Sequence, residues 1–181
     1  MNNKPFNIGL AGLGTVGTGV IKILEENKFF IKEKAGRNMQ IKAISARDKS
    51  KPRSVDLTKF EWVDDVISLA DNEELDAIVE VIGGTSDPCK TLIEKSISYG
   101  KHVVTANKAL LAKHGLALAK AAESSNVSLR FEAAVAGGIP IIKALMEGLA
   151  SNNIKKISGV MNGTCNYILS RMENTNGSYE S

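Results

Sequence analysis

Apolar residues along this chain fall into two rhythms. Short, nearly continuous apolar runs at residues 6–11, 39–46, 77–82, 102–106, 127–135 and 154–161 have the length and β-branched content of strands covered on both faces. Between them lie helical stretches. Residues 18–27 place Val20, Ile21 and Leu24 on one side, 88–99 stop at Gly100, and 109–124 are rich in Ala and Leu. A further helix is predicted at 141–150, after the turn Gly137-Gly138-Ile139-Pro140. The charged insertion 28–38 lengthens the first helix and turns at Gly36, and Pro52 opens a loop that leads to a short helix at 64–69. Strand and helix in alternation predict an α/β fold with a doubly wound parallel sheet.

The first strand–helix junction carries the most chemistry. It reads Gly12-Leu13-Gly14-Thr15-Val16-Gly17, a Gly-x-Gly-x-x-Gly between a strand and a helix, the context that makes a Rossmann-type dinucleotide site of it. Gly12 permits the tight turn, Gly14 lets the backbone approach a pyrophosphate, and Gly17 lets the helix pack closely on the strand. The phosphates would sit on the free N–H groups and positive dipole end of that helix. An ordinary β-turn is the bland alternative.

The end of the second strand is where such a fold meets the adenosine ribose. Arg47 stands there, with Lys49, Lys51 and Arg53 nearby, and its planar fork suits the 2′-phosphate of NADP. Asp48 rotating inward would instead serve NAD. The run 77–82, interrupted only by Glu80, ends in Gly83-Gly84-Thr85, which makes Thr85 a candidate cofactor contact. Ser86 or Asp87 before Pro88 would equally cap a helix. Lys108 opens the next helix, where a cation faces the positive end of the dipole unless a bound polar group compensates. Further on, the carbonyls of the Gly-Gly-x-Pro turn beside Glu132 are hard oxygen donors for a cation, against the plainer reading of a tight turn around a buried glutamate.

Composition narrows the function. The net charge of +3 is small and the basic residues are dispersed, so nucleic acid is not an expected partner. No apolar run approaches the ~20 residues of a membrane span, and residues 1–5 are too short and polar for a signal peptide, which points to the cytoplasm. Asn162-Gly163-Thr164 matches a glycosylation acceptor but carries little weight without a secretory signal. Cys89 and Cys165 are lone and distant, neither a metal cluster nor a disulfide framework.

Four blocks together resemble the homoserine dehydrogenases. These are the glycine turn; Val104-Thr105-Ala106-Asn107-Lys108-Ala109-Leu110-Leu111-Ala112; Phe131-Glu132-Ala133-Ala134-Val135-Ala136-Gly137-Gly138-Ile139-Pro140; and Met161-Asn162-Gly163-Thr164-Cys165-Asn166-Tyr167-Ile168-Leu169. The resemblance covers nearly the whole chain. Ala136 and Cys165 depart from the more usual glycine and threonine.

The resemblance implies reversible NAD(P)-dependent reduction of aspartate 4-semialdehyde to homoserine, on the route to threonine and methionine. It puts Thr15, Val16, Arg47, Thr85 and Lys108 at the cofactor, with Lys108 also near the small-molecule substrate. It puts a monovalent cation, usually sodium, on Glu132 and on backbone oxygens of Val135, Gly137 and Ile139. It further implies a Rossmann domain over residues 1–130, the beginning of an α+β substrate and dimerisation domain over 131–181, and a homodimer for the full-length enzyme.

The family's next block contains an acidic substrate-binding residue and a lysine general acid, and neither lies within this sequence. A carbonyl that accepts hydride needs a proton donor or polarising group. The chain is therefore expected to bind cofactor without appreciable turnover, and a non-catalytic NAD(P)-binding module is the alternative from another class. Another aldehyde dehydrogenase of the aspartate pathway would require an activated nucleophilic cysteine, for which neither Cys89 nor Cys165 has a recognisable context.

Overall fold

The computed structural model of the protein describes residues 4–159 and 162–179. It divides into two compact units, Met1–Gly138 and Ile139–Ser181.

The first unit is a six-stranded sheet in the order β3-β2-β1-β4-β5-β6. The strands are β1 (Phe6–Ala11), β2 (Met39–Ser45), β3 (Glu61–Trp62), β4 (Ala77–Glu80), β5 (His102–Thr105) and β6 (Leu129–Arg130). Every neighbouring pair is parallel. This is the doubly wound order, with the direction of progression reversing between β1 and β4. Because successive side chains point to opposite faces, Ile8 and Leu10 of β1 join Ile41, Ile44 and Val79 on one side, while Ala11, Ala43 and Ile78 pack with Leu69, Leu75 and Leu92 on the other.

Helices cover both faces. The helix α1 (Thr15–Glu26) buries Ile21 completely against β1 and β2, with Val20 and Leu24 partly buried beside it. Burying such a side chain contributes on the order of 2–3 kcal/mol. The insertion forms a separate helix, α2 (Lys28–Ala35), instead of extending α1, because the chain breaks from helical geometry at Asn27 (φ −104°, ψ 17°). It ends at left-handed Gly36, as predicted. On the other side, α3 (Cys89–Ser98) and α4 (Lys108–Ser124) pack with Val103 and Leu129 around Ile93, Ile97, Leu110 and Leu118. The predicted short helix is a 3-10 turn, Val66–Ala70, whose first N–H groups are met by Asp65 Oδ1 accepting from Ile67 N–H at 3.0 Å.

Two predicted strands are corrected. The run 127–135 pairs only at Leu129 and Arg130, then winds into a 3-10 turn, Glu132–Ala134. Its one neighbour, β5, ends at Thr105, and Phe131 leaves extended geometry (φ −144°, ψ 27°), so no ladder remains to continue. The run 154–161 forms no strand over residues 154–159, and Val160 and Met161 lie outside the described residues. A strand needs an edge to pair with, and the described part of the second unit is helical where it is regular. Its elements are α5 (Ile141–Lys143), continuing into a π-helical turn at Ala144–Gly148, and α6 (Gly163–Thr175). Asn162 caps α6, its side-chain oxygen accepting from Cys165 N–H at 3.0 Å.

Candidate functional site

The parallel register gathers the carboxyl ends of the strands on one edge. Ala11 pairs with Ser45 on one side and Glu80 on the other, and Glu80 pairs in turn with Thr105. The segments that follow these residues are the Gly12–Gly17 turn, Ala46-Arg47, the Gly83-Gly84-Thr85 loop and Asn107-Lys108. Hydrophobic pattern and strand order alone therefore bring four of the sequence-predicted groups to the same edge.

The glycine turn is built as the motif requires. Gly12 sits at a φ of 105°, and a Cβ there would lie 2.8 Å from the Val81 carbonyl oxygen. A Cβ on Gly17 would lie only 2.0 Å from the Gly12 carbonyl oxygen, so this residue sets how closely α1 approaches the strand. Gly14 is different: no atom lies within 4 Å of its added Cβ. That face is open to a ligand. The first helical bond runs from Thr18 N–H to the Gly14 carbonyl at 2.9 Å, leaving the N–H groups of Thr15, Val16 and Gly17 ahead of it without an intrahelical acceptor.

A cavity of about 690 Å³ adjoins this turn, lined by Gly12, Gly14, Ser45, Arg47, Asp48 and Arg53 among others. Two features fit a dinucleotide here. The cradle at Gly14 is open, and the buried Ser45 hydroxyl on the cavity wall has no hydrogen-bond partner. Asp48 is already committed locally, accepting from Ser50 N–H at 2.8 Å and the Ser50 hydroxyl at 2.7 Å; these bonds hold its carboxyl below the usual range. Arg47 carries the cationic side of the cavity, together with Lys51 and Arg53.

In the sequence Arg53 is one of several basic residues after β2. In the fold it is a clasp. Its guanidinium donates to the carbonyls of Leu13 (3.2 Å), Lys51 (2.7 Å) and Asp48 (2.6 Å), tying the glycine turn to the loop after β2. Nothing local in the sequence distinguishes it from the neighbouring lysines, because its partners are backbone oxygens up to 40 residues away.

Thr85 and Lys108 are exposed and do not line that cavity. Of the two capping candidates, Ser86 and Asp87, it is the Asp87 carboxylate that holds the start of α3, accepting from Thr91 N–H at 3.2 Å and from the Thr91 hydroxyl. Lys108 occupies the first turn of α4, which is capped by Asn107 Oδ1 accepting from Leu110 N–H at 3.1 Å. Glu132 is half-buried at the 3-10 turn, Val135 and Gly137 follow in the first unit, and Ile139 belongs to the second, its carbonyl accepting from Ile141 N–H at 2.8 Å.

Beneath this edge lies a buried polar hub. Glu80 is fully buried; its Oε1 accepts from Ile82 N–H (2.8 Å) and Gly83 N–H (3.1 Å), and its Oε2 from the Thr105 hydroxyl (2.6 Å). Thr105 Oγ1 in turn accepts from Asn107 N–H at 3.0 Å. Cys89 is buried beside the hub and donates to the Gly83 carbonyl at 3.1 Å. Burial, reinforced by the Glu80 carboxylate, pushes its thiol up to about 11, which disfavours the nucleophilic thiolate at neutral pH.

Comparison with known proteins decides the family. The NAD-binding domain of homoserine dehydrogenase matches residues 12–132, and the homoserine dehydrogenase family proper matches residues 140–181. The chain belongs to the homoserine dehydrogenase family.

Among homoserine dehydrogenase relatives, that of Neisseria gonorrhoeae is 48% identical over 169 residues, covering 93% of this chain and 38% of the relative. The Helicobacter pylori enzyme is 46% identical over 177 residues, covering 98% and 41%. The chain thus spans about two fifths of the length of these curated relatives. A crystal structure of the Thiobacillus denitrificans homoserine dehydrogenase superposes with a TM-score of 0.87 at 42% identity, over 98% of this chain and 41% of that one. A hyperthermophilic archaeal homoserine dehydrogenase in complex with NADPH superposes with a TM-score of 0.77 at 25% identity, over 98% and 59%. Among the described residues, no helix of this homoserine dehydrogenase chain is long and apolar enough to cross a membrane.

Proposed function

We propose that this chain is the dinucleotide-binding portion of an enzyme that reversibly reduces L-aspartate 4-semialdehyde to L-homoserine with NADPH, in threonine and methionine biosynthesis. The observation that carries this reading is the glycine turn, closed by backbone contact at Gly17 and Gly12 yet open at Gly14, on the wall of a cavity lined by Arg47.

Each residue then has a physical task. The N–H groups of Thr15, Val16 and Gly17, aligned with the α1 dipole, bind the pyrophosphate. Arg47 takes the 2′-phosphate, which favours NADP over NAD. The bound nicotinamide supplies the hydride. Thr85 and Lys108, which follow β4 and β5, serve its end of the site, and Lys108 orients and polarises the substrate carbonyl. We assign a monovalent cation, sodium by preference, to Glu132 and the carbonyls of Val135 and Gly137, with Ile139 the remaining member of the sequence-based set; hard oxygen donors of this kind suit a hard cation. Left-handed Ala136 (φ 47°) and Gly138 (φ 87°) flank Gly137 and support an open carbonyl turn there.

Residues 131–181 are proposed as the opening of the substrate and dimerisation domain, the whole enzyme acting as a homodimer on a small-molecule substrate. Two free cysteines suit a reducing, cytoplasmic setting. Assayed by itself, the 181-residue chain is expected to bind cofactor without appreciable turnover, because no lysine in it matches the family's general acid. Titrating NADPH and NADH against wild type and Arg47→Ala tests the cofactor assignment. Loss confined to NADPH is the expected result, and equal loss of both removes the case for NADP. Joining the family's acidic block and lysine to the chain is expected to restore semialdehyde reduction; no activity there leaves a binding module.

A further inference from the structure

We propose that Glu80 is a positioning residue that sets the nicotinamide half of the site, one buried carboxylate fixing both the Gly83-Gly84-Thr85 loop and the start of α4. The inference rests on the dinucleotide reading above. A carboxylate within the apolar strand Ala77–Glu80 is costly unless it is fully hydrogen-bonded, and here it is. It accepts three bonds, from the N–H groups of Ile82 and Gly83 and from the Thr105 hydroxyl. Thr105 passes the constraint on to Asn107, which caps the helix that begins at Lys108.

The loop needs such an anchor. Gly83 (φ 88°) and Gly84 (φ 110°) follow a left-handed path that their own conformational freedom does not fix, and Gly83 is held at its N–H by Glu80 and at its carbonyl by Cys89. The sheet order gives this anchor its role. A dinucleotide whose adenosine end lies at Arg47, after β2, and whose pyrophosphate lies at Gly14, after β1, carries its other end on toward β4 and β5, the two strands joined by Glu80. A carboxylate offers acceptors only, matching the three donors, whereas glutamine would turn an NH2 toward one of them.

The test is calorimetric titration of the 181-residue chain, wild type and Glu80→Gln, with NADPH and with 2′-phospho-ADP-ribose, which lacks only the nicotinamide ring. Glu80→Gln is expected to lose about tenfold in NADPH affinity with the ring-less ligand unaffected. Equal loss for both ligands, which a merely structural role would give, or no loss for either, overturns the proposal while leaving the dinucleotide reading intact. Wild type that binds neither ligand overturns both. Should Glu80→Gln fail to fold, amide exchange on wild type decides. Ile82 and Gly83 are expected to be protected without ligand and further slowed by NADPH alone, and exchange at open-loop rates overturns the proposal.

Discussion

Replacing Gly17 by alanine turns the close approach of α1 to the Gly12 carbonyl into a measurement. The added Cβ would meet the Gly12 carbonyl oxygen at 2.0 Å, so α1 must withdraw by about 1.4 Å to reach the 3.4 Å at which contact becomes ordinary. The carbonyl cannot easily move instead. Gly12 N–H is tied to the Ser45 carbonyl at 2.9 Å, and the residue's φ of 105° leaves few alternatives. Because the contact is this short and the atom met is backbone, the cost lies at the top of the range typical of overpacking, about 3 kcal/mol. Alanine's higher helix propensity and the stiffer unfolded chain return about 1 kcal/mol. A net loss of about 2 kcal/mol is expected, which lowers Tm by roughly 4–8 °C in a protein of this size. Dinucleotide affinity falls with it, since the helix N-terminus moves away from the turn. Gly14→Ala is the control. Its backbone (φ −80°, ψ −162°) suits any residue and nothing lies within 4 Å, so Tm should hold while NADPH affinity drops by about tenfold or more, the methyl occupying the space of the pyrophosphate. Thermal unfolding by circular dichroism and NADPH titration read the two effects separately. Without the clash, Gly17→Ala would stabilise the helix, so a Tm at or above wild type refutes the reasoning outright.

Arg53→Ala removes the clasp between the glycine turn and the loop after β2; NADPH and NADH affinities should fall together by several-fold, and loss confined to NADPH would instead make Arg53 a 2′-phosphate contact. Lys101 is buried, its ammonium donates to the Leu75 carbonyl at 3.2 Å, and burial holds it below its ordinary 10.5. The unfolded chain therefore keeps a proton that the folded chain releases earlier, and wild-type stability rises with pH across the interval from the lowered folded value up to 10.5. Lys101→Met should show its largest stability advantage over wild type near neutral pH and a narrowing one toward pH 10, read by urea unfolding; a gap that does not narrow contradicts the assignment. A thiol reagent at pH 8 should modify one cysteine per native chain, exposed Cys165, and two in denaturant, because Cys89 is buried and its thiol lies near 11. Two rapidly reacting thiols in the native protein would show that the hub around Glu80 is open.

The alternating architecture and the dinucleotide turn are legible in the order of residues alone. Apolar runs and glycine spacing are local signals, so β1, β2, β4, β5 and the helices α1, α3 and α4 lie where periodicity put them. The same holds for Gly12, Gly14 and Gly17, since the demands of a tight turn are written in residues that lack a Cβ. Whatever depends on a partner distant along the chain is settled only once the strands pair. Whether 127–135 and 154–161 form strands depends on an edge to pair with, which no local pattern records. Arg53 became a clasp, and Glu80 a hub joining β4 to residues 25 positions onward, because parallel pairing set their partners beside them. In the sequence Glu80 is a lone break in an apolar run; only the register of Glu80 against Thr105 turns that break into an anchor.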